Sequence, residues 1–337
     1  MPLFQEAVQT AVPEISLLRA SRAAMATFFE VLLPVGTSSA VSAAEAALDA
    51  IDELEDQLTV YRSHSEVSQL NARAFSEAVP VERRLFDLLA FAANLTLETQ
   101  GAFDVATGAL LKTWGFHQRE GRVPTVAERA QAMGRSGMRH VVLDAAAHTV
   151  RYLRQGLEIN LGGIGKGYAL DRAAELLRDR WGIASGLLHG GTSSILALGV
   201  PLEQPLGWMV SLRHPWDETR TLGNVHLRNR ALGTSAATHQ YFVYNGSKLG
   251  HLLDPRRGWP AAGLQQVSAL APTAAEADAL STAFFVMGLE AARDYCRTHP
   301  QIGAVILPEG EDAATVTINL APGTFTLPPR EDPSSGT

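Results

Sequence analysis

Residues 160–171 read NLGGIGKGYALD and place four glycines and one lysine immediately before a helical pattern. Glycines let the backbone approach a ligand closely, and the free N–H groups at a helix N-terminus bind phosphate well. The segment is not a Walker A loop, because Gly167 follows Lys166 where Ser or Thr is required, and it lacks the G-x-G-x-x-G spacing. By itself it fits either a phosphate-binding loop or an ordinary glycine-rich turn.

The composition is that of a folded globular protein. The chain has 337 residues, of which 46% are hydrophobic and 19% are charged. A net charge of −7 and the lack of a long Lys/Arg run argue against nucleic acid as the main partner. Cys296 is the only cysteine, which excludes an intramolecular disulfide and a Cys-based structural zinc site.

The N-terminal residues do not read as an export signal. They carry Glu6 and Glu14, lack a cationic start and have no continuous apolar core, and the chain has no lipobox. No stretch reaches the roughly 18 apolar residues that a membrane span needs. We therefore expect a cytoplasmic protein without a membrane span, and a periplasmic location stays open for a chain from which a leader has been removed.

Hydrophobic periodicity predicts interleaved helices and strands. Helices are expected over 41–58, 85–97, 167–181 and 275–288, and the first would bury a stripe that begins at Val41. Short strands are expected at 141–143, 150–153, 187–189, 194–198, 208–212, 224–227 and 240–244. The last strand leads into an Asn245-Gly246 turn, which is typical of a β-hairpin.

Asp278 and Thr282 lie four residues apart in a predicted helix, so they share one face about a turn apart. A carboxylate and a hydroxyl in this arrangement could bind one hard cation, with Ser281 assisting through water. The alternative is an exposed Asp near a helix start and a Thr bonded to its own turn.

His251 and Asp254 open the turn HLLDPRRG at residues 251–258. Histidine is the most frequent general base at neutral pH, so His251 is a candidate for that role. Alternatively the two residues belong to a satisfied turn in which Asp254 accepts local backbone N–H groups. Neither G-x-S-x-G nor H-E-x-x-H occurs, so serine-hydrolase and zinc-protease chemistry are not supported.

Taken in order, six segments resemble the ApbE family of flavin transferases across residues 22–327. They are Met25-Ala26-Thr27; Tyr61-Arg62 with residues 65–71; residues 101–104 with Trp114-Gly115-Phe116; residues 165–171; residues 251–258; and residues 277–282. Some positions depart from the family pattern. Ala26 occupies a position where Gly is usual, and Arg257 one where Thr is usual. Asn160 and Thr192 occupy positions where Asp is frequent, and Ser281 one where some members have an acid.

The resemblance implies an α+β fold related to the T-fold, in which a mixed sheet and helices form a deep FAD cleft. It implies one flavin transferase domain at 22–327, preceded by an N-terminal arm at 1–21, and the composition of residues 328–337, PPREDPSSGT, predicts a flexible tail. The implied FAD contacts are Met25, Tyr61, Ala102, Phe103, Asp104, Asn160, Lys166 and the backbone near Leu253. The implied magnesium ligands are the Gly163 carbonyl, Asp278 and Thr282, with Ser281 beside them.

The activity implied by the resemblance is Mg²⁺-dependent FAD:protein FMN transfer. The enzyme would cleave the pyrophosphate of FAD and attach FMN through a phosphoester to Thr or Ser of an acceptor protein, releasing AMP. His251 or Asp254 would deprotonate the hydroxyl, and Lys166 would steady the phosphate. Two alternatives are an FAD pyrophosphatase that releases FMN and AMP, and a non-catalytic FAD-binding protein.

Overall fold

The structure, a computed structural model, describes residues 16–118, 120–201, 204–217, 219–236, 241–310 and 313–328. The strands are β1 (Leu17–Ala24), β2 (Thr27–Pro34), β3 (Val79–Pro80), β4 (Val141–Asp144), β5 (Thr149–Tyr152), β6 (Gly186–Gly190), β7 (Ser194–Leu198), β8 (Trp208–Arg213), β9 (Thr221–Leu227), β10 (Ala231–Ala236), β11 (Tyr241–Tyr244), β12 (Ser247–Gly250), β13 (Leu253–Asp254), β14 (Trp259–Pro260), β15 (Leu264–Ala271), β16 (Gly303–Pro308), β17 (Val316–Ile318) and β18 (Phe325–Thr326). The helices are α1 (Ala40–Leu58), α2 (Glu66–Arg73), α3 (Arg83–Glu98), α4 (Gly108–Thr113), α5 (Val126–Gly134), α6 (Gly165–Trp181), α7 (Ala274–Met287) and α8 (Leu289–Thr298).

The largest sheet has eight strands in the order β1-β2-β6-β7-β10-β15-β16-β17. All seven of its pairings are antiparallel, so the α+β class is confirmed and the sheet is antiparallel instead of mixed. Smaller sheets pair β18-β9-β8, β3-β5-β4, β11-β12 and β13-β14. The predicted hairpin at Asn245-Gly246 is confirmed, because both residues have the positive φ of a type I′ turn.

Helix α1 buries one stripe against the main core, as its periodicity predicts. Ala43, Ala44, Ala47 and Ile51 are almost fully buried. The prediction that this stripe begins at Val41 is wrong, because Val41 is 57% exposed. Successive helical residues are about 100° apart, so Val41 lies on the opposite side of the helix from Ala43, which faces the core.

Helix α7 has no polar face over most of its length. Ten of its fourteen residues are buried, which is typical of a helix enclosed on several sides. It contacts β10 and β15 of the large sheet on one side and α6 on another. A Cβ at Gly233 in β10 would lie 2.3 Å from the Ala277 carbonyl, so the strand and the helix approach backbone to backbone.

Part of the predicted N-terminal arm belongs to the folded region. Strand β1 begins at Leu17 and pairs with β2, so residues 17–21 of the predicted arm lie in the sheet. The rest of the predicted arm, up to residue 15, and the predicted tail beyond residue 328 lie outside the described residues. Within the described ranges no helix combines the length and apolar character required to cross a bilayer.

Candidate functional site

Asp278 is a buried carboxylate in the first half of α7. Its Oδ2 accepts hydrogen bonds from the backbone N–H of Gly167, at 2.8 Å, and from the Ser194 hydroxyl, at 2.9 Å. Burial raises its pKa, and the nearby charge of Lys166 and these two hydrogen bonds oppose the increase. A buried carboxylate is costly unless a cation or hydrogen bonds stabilise it, so Asp278 is suited to hold a positive group.

Thr282 lies one turn further along α7, beside the glycine segment. A Cβ built at Gly163 would lie 3.7 Å from Thr282 Oγ1 and 3.4 Å from the Phe103 ring. The Thr282 hydroxyl is thus close to the Gly163 backbone. Thr282 and Asp278 lie on the same face of α7. The hydroxyl of Ser281 donates to the Asp278 carbonyl at 2.9 Å and is 2.8 Å from Ser235 Oγ.

These oxygens have the chemistry of a magnesium site. Mg²⁺ commonly takes one or two carboxylates and completes its coordination with water and substrate phosphates. In the described part of the chain, no group of three His, Cys, Asp or Glu side chains is arranged to hold a metal. A cation beside Asp278 would therefore rely on one carboxylate together with neutral oxygens such as that of Thr282, which fits Mg²⁺ better than zinc.

The N-termini of α6 and α7 meet at Gly167. A Cβ at this position would lie 2.0 Å from the Ala274 carbonyl oxygen, so only glycine allows the approach. Asp171, one turn further along α6, accepts the N–H groups of Ala274 and Ala275 at 2.7 and 2.9 Å. Burial raises the pKa of Asp171 to about 7. These contacts fix the helix that carries Asp278 against the helix that carries Lys166.

The loop before α6 is fixed by amide hydrogen bonds. Asn160 Oδ1 accepts the N–H of Gly162 at 2.9 Å, and the Asn160 N–H donates to the Val105 carbonyl at 2.7 Å. Asn71 holds the preceding residue, because its amide donates to the Ile159 carbonyl and accepts the Ile159 N–H. In this conformation the Asn160 side chain supports its own loop, and its predicted contact with FAD stays a prediction.

Residues 101–104 pack beside the glycine segment. Ala102 and Phe103 are almost fully buried, and the Phe103 ring faces Gly163. Asp104 accepts backbone N–H groups from Ala106, at 2.8 Å, and from Met138, at 2.9 Å, and burial raises its pKa. Its carboxylate therefore holds two segments together, and the predicted contact of Asp104 with FAD stays a prediction.

The turn at residues 251–258 lies against the same region. Both oxygens of Asp254 accept hydrogen bonds from the Arg256 guanidinium, at 2.8 and 2.9 Å. Arg256 in turn lies 3.5 Å from the Cβ position of Gly101. Asp254 is thus paired with a cation, and the assignment of the base to His251 or Asp254 stays a prediction. Leu253 is buried, and the His251 ring is 6.4 Å from the Phe116 ring.

Tyr61 and Met25 come from two other segments. Tyr61 is 70% exposed, and its ring stacks on His117 at a centroid distance of 4.6 Å. Met25 lies in the two-residue turn between β1 and β2, where Met25 and Ala26 both have positive φ. Thr27, next to this turn, is 2.5 Å from the Cβ position of Gly191, in the turn between β6 and β7.

The structure thus links half of the predicted residues in two groups. The first joins Lys166, Gly163, Phe103, Asp278, Ser281 and Thr282 around the start of α6 and the middle of α7. The second joins Asp254, through Arg256, to Gly101. A groove of about 720 Å³ between α1 and α6 contains none of the predicted FAD or metal residues, so the deep FAD cleft stays a prediction.

Three supporting residues could not be recognised from the sequence alone. Ser194 positions Asp278, Asn71 positions Ile159 just before the glycine loop, and Asp171 positions α7. Asn71 and Asp171 stand inside the segments that resemble the family, which is the only signal that distinguishes them. Ser194 lies in the predicted strand 194–198, where its pattern indicates nothing beyond a strand.

Comparison with known proteins identifies the family to which the chain is similar. The family model described as ApbE family matches residues 25–306. The FAD:protein FMN transferase of Treponema pallidum is 32% identical over 280 residues, covering 79% of this chain and 77% of that protein. The protein of the same name from Escherichia coli K12 is 28% identical over 319 residues, covering 91% and 88%.

Solved structures agree with the sequence comparison. The ApbE protein of Thermotoga maritima superimposes with a TM-score of 0.81 at 28% identity, covering 90% of this chain and 97% of that one. The flavin transferase ApbE of Vibrio cholerae gives 0.78 at 25% identity, covering 90% and 98%. With a family match over most of its length and the same fold, the chain belongs to the ApbE family.

Proposed function

We propose that this protein is a Mg²⁺-dependent FAD:protein FMN transferase that attaches FMN through a phosphoester to a Thr or Ser of an acceptor protein and releases AMP. The observation that carries the proposal is the buried Asp278 carboxylate, which lies near the Lys166 charge and one turn before Thr282. Relatives over most of the chain are named FAD:protein FMN transferases, which supports the same activity.

In the proposed reaction the acceptor hydroxyl oxygen attacks the phosphorus on the FMN side of the FAD pyrophosphate. A new O–P bond forms, the bridging P–O bond breaks, and AMP leaves with the bridging oxygen. His251 takes the hydroxyl proton, and the Lys166 ammonium balances charge on the phosphates. Asp278, Thr282 and the Gly163 carbonyl would hold Mg²⁺, which when bound neutralises charge on the pyrophosphate.

The N-terminus of α6 adds to phosphate binding. The N–H groups of Gly165 and Gly167 are already bonded, to the Leu161 carbonyl and to Asp278, so the helix contributes the positive end of its dipole. Lys166 lies in this first turn, so its ammonium and the backbone dipole favour the same anion. Tyr61, with its exposed ring stacked on His117, is suited to receive one aromatic ring of FAD.

The test is incubation of the purified enzyme with FAD, Mg²⁺ and an acceptor domain that the Escherichia coli relative flavinylates. Wild type should add the mass of FMN to the acceptor and release an equal amount of AMP. Asp278→Asn should abolish both products. Asp87→Asn, on the exposed surface of α3, is the matched control and should keep wild-type rates.

Three results would contradict the proposal. Wild-type rates in Asp278→Asn would remove the metal assignment. Free FMN and AMP without a modified acceptor would identify an FAD pyrophosphatase. FAD binding without AMP release would identify a non-catalytic flavin-binding protein.

A further inference from the structure

Strand β10 brings the hydroxyl of Ser235 to the helix that carries the candidate metal ligands. Gly233 and Ser235 are two residues apart, so they lie on the same side of the strand. That side faces α7, because a Cβ at Gly233 would lie 2.3 Å from the Ala277 carbonyl. Thr234 points to the opposite side, where its hydroxyl is 2.9 Å from that of Ser268 on β15. The close approach at Gly233 therefore lets the short Ser235 side chain reach α7.

Ser235 connects two hydroxyl groups of α7 in one chain of hydrogen bonds. Its Oγ is 2.8 Å from the Oγ of Ser281 and 3.3 Å from the Oγ1 of Thr282. The Ser281 hydroxyl in turn donates to the Asp278 carbonyl at 2.9 Å. Ser235 and Ser281 are both buried, and hydrogen bonds in such surroundings are stronger than in water. The chain runs from Thr282 through Ser235 and Ser281 to the backbone of Asp278.

The direction of the chain follows from its Asp278 end. A carbonyl oxygen can only accept, so the single hydrogen of the Ser281 hydroxyl lies on that bond. Ser281 then accepts the hydrogen of Ser235, and Ser235 accepts the hydrogen of Thr282. The lone pairs of the Thr282 oxygen therefore point away from Ser235. Because a cation binds a hydroxyl through its oxygen lone pairs, this orientation prepares Thr282 to be a ligand.

We propose that Ser235 is a positioning residue for the candidate magnesium site, which keeps the hydrogen of Thr282 turned away from the cation. This inference rests on the proposed function, in which Asp278 and Thr282 hold Mg²⁺. Without the Ser235 oxygen, the Thr282 hydroxyl loses the acceptor that fixes its rotation, so its hydrogen can turn toward the cation. Removing a group that orients a metal ligand lowers metal affinity by about 10- to 100-fold.

The experiment measures Mg²⁺ binding without turnover. MgCl2 is titrated into the purified protein without FAD, at constant ionic strength, and urea unfolding is recorded at each concentration. A ligand that binds only the folded state stabilises it in proportion to the logarithm of its concentration above Kd, so the series gives the Kd for Mg²⁺. Ser235→Ala should raise this Kd about tenfold.

Ser268→Ala is the matched control. Ser268 is also buried, and its hydroxyl contacts Thr234 on the side of β10 that points away from α7. The change removes the same atoms as Ser235→Ala and leaves the Thr282 hydroxyl bonded. The Kd for Mg²⁺ should therefore stay within twofold of the wild-type value, even where the free energy of unfolding without Mg²⁺ falls.

A second pair of variants isolates the hydroxyl from the space that it fills. Ser235→Thr and Ser235→Val add side chains of nearly the same shape, and only the threonine keeps a hydroxyl. Any cost of the added bulk is shared by both variants. The Kd for Mg²⁺ should be about tenfold higher with valine than with threonine, because only threonine can accept the Thr282 hydrogen.

The outcomes separate the two proposals. If Mg²⁺ stabilises wild type no more than Asp278→Asn, the metal assignment of the proposed function fails and this inference fails with it. If Mg²⁺ stabilises wild type specifically and Ser235→Ala keeps the wild-type Kd, only the inference is overturned. It is also overturned if Ser268→Ala raises the Kd as much as Ser235→Ala, or if the valine and threonine variants have the same Kd, because the effect then reflects packing.

Discussion

Replacing Gly167 by alanine should destabilise the protein, although alanine favours a helix by about 1 kcal/mol over glycine. The added Cβ would lie 2.0 Å from the Ala274 carbonyl oxygen and 2.7 Å from the Ala275 nitrogen. Both are backbone atoms, so no side-chain rotation relieves the contact. Ordinary contact begins at 3.4 Å, so α6 and α7 must separate by 1.4 Å, the difference between 3.4 and 2.0 Å.

This separation also affects the site. A shift of that size lengthens the 2.8 Å hydrogen bond from Gly167 to Asp278 beyond hydrogen-bond range. Overpacking costs about 1–3 kcal/mol, and a lost hydrogen bond to a buried group costs about 1–3 kcal/mol. After the gain in helix propensity, we expect the free energy of unfolding to fall by about 3 kcal/mol.

Urea unfolding followed by far-UV circular dichroism measures this loss. Gly134→Ala is the matched control, because Gly134 is also helical and a Cβ there meets no atom within 4 Å. That change should raise the free energy of unfolding by about 0.5–1 kcal/mol. The reasoning is refuted if Gly167→Ala unfolds at the same urea concentration as Gly134→Ala.

Three further substitutions test neighbouring contacts. Ser194→Ala removes a donor to Asp278, so the Mg²⁺ concentration that gives half-maximal AMP release should rise about tenfold. Ala26→Gly relieves a φ of 61° in the β1–β2 turn and should raise the free energy of unfolding by up to about 1 kcal/mol in urea titrations. Asp171→Asn removes a buried acid whose pKa is raised to about 7 from 3.8. The raised pKa contributes stability that is complete below pH 4 and is lost as pH rises through 7, so the advantage of wild type over this variant should shrink by about 2 kcal/mol between pH 5 and pH 8 in urea unfolding.

The sequence predicts helices better than the strands at the centre of the sheet. Helix α7 was expected at 275–288 and is found at Ala274–Met287, because Thr273 caps its first turn and Gly288 follows its last. Strands β10 and β15 were not predicted. Both are covered on two faces, so their sequences, ALGTSA and LQQVSALA, lack the alternation that marks a half-buried strand.

In the site, as in the sheet, only the features that are local in sequence could be predicted. The four-residue spacing of Asp278 and Thr282 is a local helical property, so it could be predicted from the sequence. The hydrogen bond from Ser194 to Asp278 joins residues 84 positions apart, and that from Ala274 to Asp171 spans 103 positions. Such pairs depend on how α6, α7 and β7 pack, which local spacing does not determine. The resemblance to the family marked Asp171 but gave no reason for it.

The packing of α7 couples the candidate metal site to the stability of the protein. Asp278 is held where glycine permits backbone contact, at Gly167 on α6 and at Gly233 on β10. A change that separates these elements must therefore lower both the free energy of unfolding and the affinity for Mg²⁺. The contacts around Asp278 therefore tolerate little change.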